Sequence, residues 1–531
     1  MGEIFGAFLG VFRRLRGNFP GGRSFLTFDL TRTGKNVIVR GRNFAKDETT
    51  EKRNAILTDA TKRRKIGRKT TAAFGAVALL AAFVGPGCAS RYAEHLQTVR
   101  RDLYDVGSLE PAKAEIERRA KNAPKKEQDV LTLNAASVAL CEGDVVDAKS
   151  KLLAVRDRFD ELELQAAKRT GENLLTYLAD ENAASYEGED YEKVLIRAYL
   201  TLAELLSGGG ADGGSGDGGD ARAFAKQIVA KQDAIVRGGA IPDPENPEKT
   251  INPKTAYPRV PLGAYLEGLL LEETYADQNE AARRYEQVAA WAPEFTQAKA
   301  DVERARTSVH SKPGNGCVYV FAFVGRGPWK EQVYSPATQV SLLIADQIFS
   351  ATNKYAVPPT VAPVPIPQIV VEEPRIACVS VEVDGERTAT TETLADVNEM
   401  AARQFEATKN QEVAKAVVRR IVKKGTIYAA QQVGQVNEWV GLAANVAGVV
   451  WEATETADTR CWGLLPAQIQ ATRLELPVGE RRLTLYPGNR SGERIGTPIE
   501  TTVRVEPNRN VYVLVNYPGR EPLGTVVTNS R

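Results

Sequence analysis

Cys88 is the residue whose type and surroundings indicate a specific chemistry. It lies in the segment Gly-Pro-Gly-Cys-Ala-Ser of residues 85–90, directly after an apolar stretch. A cysteine among small residues at the end of an export signal is a position where a lipid is attached and the preceding peptide is removed. Several acyl chains on one thiol would anchor a protein stably, because each buried methylene contributes about 0.8 kcal/mol. We therefore predict lipid attachment at Cys88.

The residues before Cys88 have the three parts of an export signal. Basic residues cluster in 62–69, and an uncharged stretch then runs from Thr71 to Val84. As a helix this stretch would span about 21 Å, less than the roughly 30 Å hydrocarbon core. We predict a lipoprotein-type signal peptide at 62–87, and a basic extension at 1–61, without clear periodicity, that is absent from the mature protein. A general secretory signal with an incidental cysteine, or an uncleaved anchor, is the alternative.

Catalytic patterns are missing from the rest of the sequence. Histidine, a common general base, occurs only as His95 and His310, and neither lies in a motif, so we expect each at the surface or at a helix end. GxSxG, HExxH and SxxK do not occur. The adjacent acids Glu372 and Glu373 lie in a strand-like run, where neighbouring side chains point to opposite faces. We predict no catalytic residue and no enzyme activity.

The four remaining cysteines are Cys141, Cys317, Cys378 and Cys461, and they show no CxxC spacing. Zinc sites need closely spaced ligands, so we predict no metal and no cofactor. An oxidising compartment would permit a disulfide between Cys317 and Cys378, which both lie in strand-like runs. Buried free thiols are the alternative.

The charge is distributed unevenly along the chain. Residues 1–69 hold 17 of the 69 basic and 6 of the 67 acidic residues, so the remainder is net acidic. Phosphate binding needs Lys and Arg concentrated on one face. We therefore predict no nucleic-acid partner.

Residues 88–311 carry the apolar spacing of amphipathic helices. Alanines after a Gly- or Asp-containing turn recur at Ala112, Ala148, Ala221 and Ala282, and the first two are 36 residues apart. This spacing is close to the 34-residue tetratricopeptide (TPR) unit. We predict a TPR-like α-helical repeat domain, interrupted by a Gly-rich surface insert at 207–220. An irregular helical bundle is the alternative.

The second half of the chain is predicted to be rich in strands. Residues 312–465 read as a mixed β/α region with a buried strand at Cys317–Val324, an extended Pro-rich segment at 357–367 and helix from Leu394 to about Ala453. Residues 466–531 alternate apolar and polar side chains between Pro- and Gly-containing turns, which predicts four antiparallel strands in a small β-sandwich. The fold class is therefore α+β multidomain.

Several segments carry a family resemblance: Tyr191–Leu195, Tyr265–Leu270, Gly325–Lys330, Ala457–Arg460, and Leu465–Ile469 with Arg473. In this order the chain resembles a poorly characterised family of bacterial lipoproteins. That resemblance implies a lipidated cysteine, tetratricopeptide-like helices and a C-terminal β-rich part, and it implies no activity.

These observations together predict a membrane-anchored lipoprotein of the bacterial cell envelope, with its mature part outside the cytoplasm. It would act as a protein-interaction scaffold, with a protein or peptide partner on the helical repeat surface and the membrane bound through Cys88. A polysaccharide-processing enzyme of the envelope with the Gly325–Lys330 loop near its site, or a structural subunit of a surface assembly, is the alternative.

Overall fold

Both helices and sheets build the described part of the chain, and more of its residues lie in helices than in strands. The computed structural model describes residues 27–33, 36–42, 88–169, 184–207, 219–273, 277–350, 357–358, 361–433 and 456–530. Eleven α-helices and several antiparallel sheets lie in these ranges, so the α+β class is confirmed. The predicted signal peptide 62–87 and most of the insert 207–220 lie outside them.

The chain divides into two units, Met1–Ala78 and Leu79–Arg531. In the first unit, strands β1 (Thr27–Thr33) and β2 (Asn36–Arg42) pair antiparallel. They fall within the predicted N-terminal extension. All other described elements belong to the second unit.

Nine of the described helices lie in the region predicted to be helical. They are α1 (Cys88–Tyr104), α2 (Leu109–Asn122), α3 (Gln128–Glu142), α4 (Val145–Ala166), α5 (Asp190–Leu206), α6 (Gly219–Arg237), α7 (Leu262–Glu273), α8 (Gln278–Trp291) and α9 (Gln297–Arg306). Two-residue strands, β3 (Ile241–Pro242) and β4 (Thr250–Ile251), pair in the connection between α6 and α7.

Small residues allow successive helices to pack closely. The four alanines of the predicted repeat, Ala112, Ala148, Ala221 and Ala282, are all buried. Between α3 and α4 the chain turns at Gly143, whose φ of 86° lies in the left-handed region that glycine adopts without strain. The next residue, Asp144, caps α4 by accepting a hydrogen bond from the amide of Asp147 at 3.0 Å.

A five-stranded sheet lies against these helices, in the order β10 (Glu392–Asp396), β11 (Gln468–Pro477), β5 (Asn315–Val324), β14 (Asn510–Tyr517) and β15 (Val527–Thr528). β5 pairs antiparallel with β11 and parallel with β14. The antiparallel pairing predicted for the strands of 466–531 is wrong for β14, which pairs parallel with β5. This pairing places strands of 466–531 on both sides of β5.

Residues 317–324 of β5 form a continuous apolar run, as is typical of a strand with both faces buried. The side chains of Tyr319, Phe321 and Phe323 belong to the apolar core shared with the helices. Those of Val318 and Val320 belong to a second core shared with the other large sheet. The buried strand predicted at 317–324 is therefore confirmed, with the chain's own helices on one side.

The second large sheet has four antiparallel strands in the order β13 (Ile499–Val505), β12 (Gly479–Gly488), β8 (Cys378–Val383) and β9 (Glu386–Thr390). Its apolar side chains, among them Val381, Leu485 and Val503, share one core with those of the five-stranded sheet. Strands from 466–531 thus pair with strands from 312–465 in both sheets.

A third apolar cluster joins the remaining elements, which are β6 (Trp329–Ser335), β7 (Val364–Val370), α10 (Gln339–Ser350) and α11 (Val397–Val433). Strands β6 and β7 pair antiparallel. The predicted helix from Leu394 starts slightly later, because residues 392–396 form β10. Across the described ranges, none of the helices combines the length and apolar character needed to span a membrane.

Candidate functional site

Three segments that are far apart in sequence meet around one cavity in the second unit. These are the start of α5, Lys330 on β6, and the segment Asp458–Arg460. One side of α11 closes the cavity, whose volume is about 260 Å³. Residues in all three segments are named in the sequence analysis, and the folded chain brings these segments together.

The start of α5 is fixed by reciprocal capping. Glu189 and Glu192 form a capping box, in which each side chain accepts a hydrogen bond from the backbone amide of the other residue. The amide of Glu189 donates to Oε2 of Glu192 at 3.1 Å. The first turn of α5 therefore has a defined geometry at the cavity wall.

Glu192 lies behind this wall and is completely buried. Its carboxylate accepts hydrogen bonds from the Tyr186 hydroxyl and, at 2.7 Å, from the backbone amide of Trp462. Burial and the charge of Glu189 raise the pKa of Glu192 to about 7, although both hydrogen bonds act in the opposite direction. Since Glu192 does not line the cavity, it acts as an internal tie rather than as a group that contacts a ligand.

Lys330 brings a positive charge to the same wall. Its side chain is 8% exposed, and its Nζ pairs with the Glu189 carboxylate. Burial alone would lower the pKa of Lys330, but the negative charges of Glu189 and Asp458 raise it above the ordinary value. The ammonium group therefore stays charged throughout the physiological pH range.

Asp458 and Arg460 form a second buried pair next to Lys330. The guanidinium of Arg460 binds both carboxylate oxygens of Asp458, with a shortest distance of 2.6 Å. Its other nitrogen donates to the carbonyls of Lys126 and Ala184 at 2.7 and 2.9 Å. Burial opposes ionisation, but Arg460 and Lys330 hold the pKa of Asp458 below its ordinary value. The pair is therefore ionised and joins three parts of the chain.

Helix α11 supplies the opposite wall. Gln404, Thr408, Gln411 and Lys415 line the cavity and recur every three or four residues, which places them on one side of the helix. Gln404 is 8% exposed, and its Oε1 accepts no hydrogen bond from any residue that the structure describes. A buried amide oxygen of this kind favours a ligand that carries a hydrogen-bond donor.

The charged groups of the cavity largely satisfy one another. Six basic and five acidic side chains line it. Besides the two pairs above, Lys254 binds Asp190 at 2.6 Å and Lys415 binds Glu412 at 2.8 Å. Paired charges of this kind hold the lining side chains in place and can still hydrogen-bond a polar group of a ligand.

Both histidines lie away from this cavity, and the expectation of surface positions is wrong. His95 is 5% exposed in the middle of α1, with its Nδ1 3.0 Å from Glu115. His310 is fully buried after α9, and its Nε2 lies 2.8 Å from the side chain of Asn510. Burial lowers the pKa of both. Each ring has a polar partner inside the fold, Glu115 for His95 and Asn510 for His310, whereas Nε2 of His95 meets none among the described residues.

The four described cysteines are free thiols, so the permitted disulfide does not form. Cys317 belongs to the core between β5 and the helices. Cys378 lies on β8 in the other sheet, where its thiol donates to the carbonyl of Asn489 at 3.3 Å. The two sulfurs are therefore on different sheets. Within the described ranges no group of His, Cys, Asp and Glu side chains could hold a metal ion.

Cys88 is the first residue of α1, and its side chain lies outside the described residues. The predicted loop Gly325–Lys330 does reach the cavity through Lys330. Gly327 in this loop passes close to another segment, since a Cβ there would lie 2.3 Å from the carbonyl oxygen of Leu465. The loop is thus held in place by a contact that only glycine permits.

The residues missed by the sequence analysis are Gln404, Thr408 and Gln411 on α11. Their shared side of the helix is visible in the sequence as a polar spacing of four and three residues. Polar residues at helical spacing usually face solvent, however, so the pattern alone could not distinguish a cavity wall from an exposed surface.

Fold and cavity together define an α+β protein with a polar, charge-paired cavity where its helices meet its sheets. Comparison with known proteins shows no matching family model, no matching curated protein and no matching solved structure.

Proposed function

We propose that this chain is a lipoprotein of the bacterial cell envelope, anchored through Cys88, that acts as an interaction scaffold and not as an enzyme. Its partner is a protein or peptide that places one polar group in the cavity between α5 and α11. The main support for this proposal is that the start of α5, Lys330 and Asp458–Arg460 meet at one cavity, where their charges are already paired.

The size of the cavity supports a macromolecular partner. Its volume of about 260 Å³ is below the range of about 300–1,000 Å³ that encloses a drug-sized ligand. One polar side chain or chain terminus of a larger partner fits this space better than a whole small molecule. Gln404 offers such a group a buried acceptor.

We also propose that the helical pairs are TPR-like repeats and that the two large sheets form a β-sandwich. The buried alanines support the repeats, and the core shared by the sheets supports the sandwich. The side of the helices that would form a concave groove is covered by the chain's own strand β5. Tyr199 of α5 stacks on Phe323 with ring centroids 5.0 Å apart, and Tyr265 of α7 lies 6.3 Å from Tyr319. The partner therefore binds at the cavity, whose wall includes the start of helix α5.

Site-specific photo-cross-linking tests the proposal. A photoreactive amino acid in place of Gln411 puts the reactive group at the cavity, and the same amino acid in place of Leu164 is the control, because Leu164 is 69% exposed on the outer side of α4. We expect one protein adduct from intact cells with the Gln411 replacement only, reduced when Lys330→Met is added. No adduct at Gln411, or identical adducts at both positions, contradicts the proposal.

A polysaccharide-processing enzyme is the second candidate, because the carboxylates of Glu189, Glu412 and Asp458 all line the cavity. Glycoside hydrolysis uses two such groups. Turnover of peptidoglycan fragments by the purified protein, lost in Lys330→Met or in a variant at Trp329, would favour this candidate. The paired state of Glu412 and Asp458 favours the scaffold.

A further inference from the structure

A second, separate cavity lies where the end of α1 meets the loop between β14 and β15. Its volume is about 570 Å³, and it shares no lining residue with the first. Its walls include the apolar side chains of Leu103, Tyr104, Pro518, Pro522 and Leu523. We call it the arginine groove, because Arg326, Arg375 and Arg520 also line it.

The groove carries an excess of positive charge. Its lining holds three arginines and a single acidic residue, Glu521. Arg375 and Arg520 are exposed, and neither forms an ion pair within 4.0 Å with a residue that the structure describes. Guanidinium groups bind carboxylate and phosphate through two parallel hydrogen bonds. Unpaired arginines beside apolar walls therefore favour an anion.

Arg326 is held in a fixed position at the inner end. Its guanidinium donates to the carbonyl of Tyr104 at 2.9 Å and to Asp105 at 2.8 Å, and its carbon lies 5.2 Å from the centroid of the Tyr104 ring. Its Nε is buried and donates to no described residue. The Tyr104 ring is also covered by Arg100 at 5.3 Å. Arg326 is therefore held in place at this end of the groove, with its guanidinium paired with Asp105.

The loop that carries Arg520 is fixed by its backbone. The carbonyl of Arg520 accepts a hydrogen bond from the amide of Thr497 at 2.9 Å, and the amide of Leu523 donates to the carbonyl of Asn516 at 2.8 Å. Two prolines, Pro518 and Pro522, restrict the backbone between them. A ligand thus finds the apolar wall already formed, which reduces the entropy cost of binding.

We infer that the arginine groove binds a small amphipathic anion, in which a carboxylate or phosphate is joined to an apolar chain. The anionic group contacts the arginines, and the chain lies on the leucine, tyrosine and proline wall. The volume is within the range of about 300–1,000 Å³ found for small-molecule sites. This inference is independent of the partner proposed for the first cavity.

Isothermal titration calorimetry on the purified protein tests whether the groove binds such an anion. The ligands are decanoate, decyl phosphate and the uncharged decanol. We expect the two anions to bind and decanol to bind at least about tenfold more weakly, because a charged hydrogen bond is lost. Preference for decanoate or for decyl phosphate identifies which anionic group the arginines accept. Failure of both anions to bind, or equal affinity for decanol, overturns the inference.

A double variant, Arg375→Gln with Arg520→Gln, tests the role of the arginines. Both side chains are exposed, so the fold is expected to persist, and an unchanged melting temperature without ligand checks this. We expect affinity for the anions to fall at least about tenfold in this variant. Arg490→Gln is the matched control, since Arg490 is an exposed arginine outside the groove. An equal loss in the control, or no loss in the double variant, contradicts the inference.

Discussion

The backbone amide of Trp462 donates a hydrogen bond to the Glu192 carboxylate at 2.7 Å, across 270 residues of sequence. The Trp462 indole donates to Ser137 of α3 at 2.8 Å, and its ring lies 4.8 Å from that of Tyr199. One residue thus ties the segment after Asp458 to two helices. The cavity next to it is therefore formed by the fold itself, before any partner binds.

Replacing Glu192 with glutamine should change how stability depends on pH. Burial raises the pKa of Glu192 to about 7, so between its unfolded value and pH 7 the folded protein holds a proton that the unfolded chain has lost. The contribution of Glu192 to the free energy of unfolding therefore falls by roughly 2–3 kcal/mol as pH rises from 5 to 8. Urea unfolding at several pH values measures this free energy.

The wild type also contains buried histidines whose lowered pKa values reduce stability as pH falls below about 6.5. The histidine contribution is the same in wild type and Glu192→Gln, so it cancels when their free energies of unfolding are subtracted. We expect the stability of wild type relative to the variant to fall across pH 5–8, while Glu294→Gln, an exposed change on the surface, follows wild type. Parallel curves for wild type and Glu192→Gln would show that Glu192 titrates normally.

The ion pair of Lys330 and Glu189 should respond unequally to loss of each partner. Lys330 is 8% exposed, whereas Glu189 is 39% exposed. Glu189→Gln leaves the buried Lys330 ammonium without its partner, and we expect this to lower the free energy of unfolding by about 2 kcal/mol. Lys330→Met leaves a Glu189 carboxylate that water can reach, so we expect a loss of about 1 kcal/mol. Chemical denaturation of both single variants and of the double variant measures these losses in the free energy of unfolding. Equal losses in the two single variants would contradict the argument from the different burial of Lys330 and Glu189.

Gly327→Ala should destabilise the protein by at least about 2 kcal/mol. The added Cβ would lie 2.3 Å from the carbonyl oxygen of Leu465, and the loop that carries Lys330 must move to avoid it. Gly519→Ala is the matched control, because no atom lies within 4 Å of its added Cβ. Thermal unfolding should show a clear loss for the first variant only. A normal melting temperature for Gly327→Ala would mean that this close approach is absent.

The cysteine thiols should react with Ellman's reagent only when the protein unfolds. Burial raises the pKa of Cys317 and of Cys461 to about 12 and that of Cys141 to about 11, so almost no thiolate is present at pH 8. After unfolding, the protein isolated from membranes should show four reactive thiols, and unprocessed protein should show five, because Cys88 is then free. Rapid reaction in the folded state contradicts the buried positions.

Much of the secondary structure follows from local patterns. Continuous apolar residues predict β5, alternation predicts the strands β11 to β14, and the Gly143-Asp144 turn predicts the boundary between α3 and α4. These signals are local, because they depend on which face of one element is buried. The start of α11 was placed close to its position for the same reason.

Pairing over long distances could not be predicted in this way. The sequence around Val511 alternates equally well for a parallel or an antiparallel strand, so its parallel pairing with β5 is decided by the whole fold. The cavity has the same origin, since Lys330 and Asp458 are far from α5 in the sequence and are its neighbours only in the folded chain. His95 was expected at the surface because a polar side chain in a helix usually faces solvent. Its buried position follows from the contact with Glu115, which the sequence does not reveal.

The anchor at Cys88 is tested most directly by metabolic labelling with a radioactive fatty acid in a bacterial host, followed by membrane fractionation. We predict label on the wild-type protein in the membrane fraction and none on Cys88→Ala, with residues 1–87 missing from the labelled product. Unlabelled wild-type protein that stays in the cytosol and retains residues 1–61 would contradict the proposed envelope scaffold.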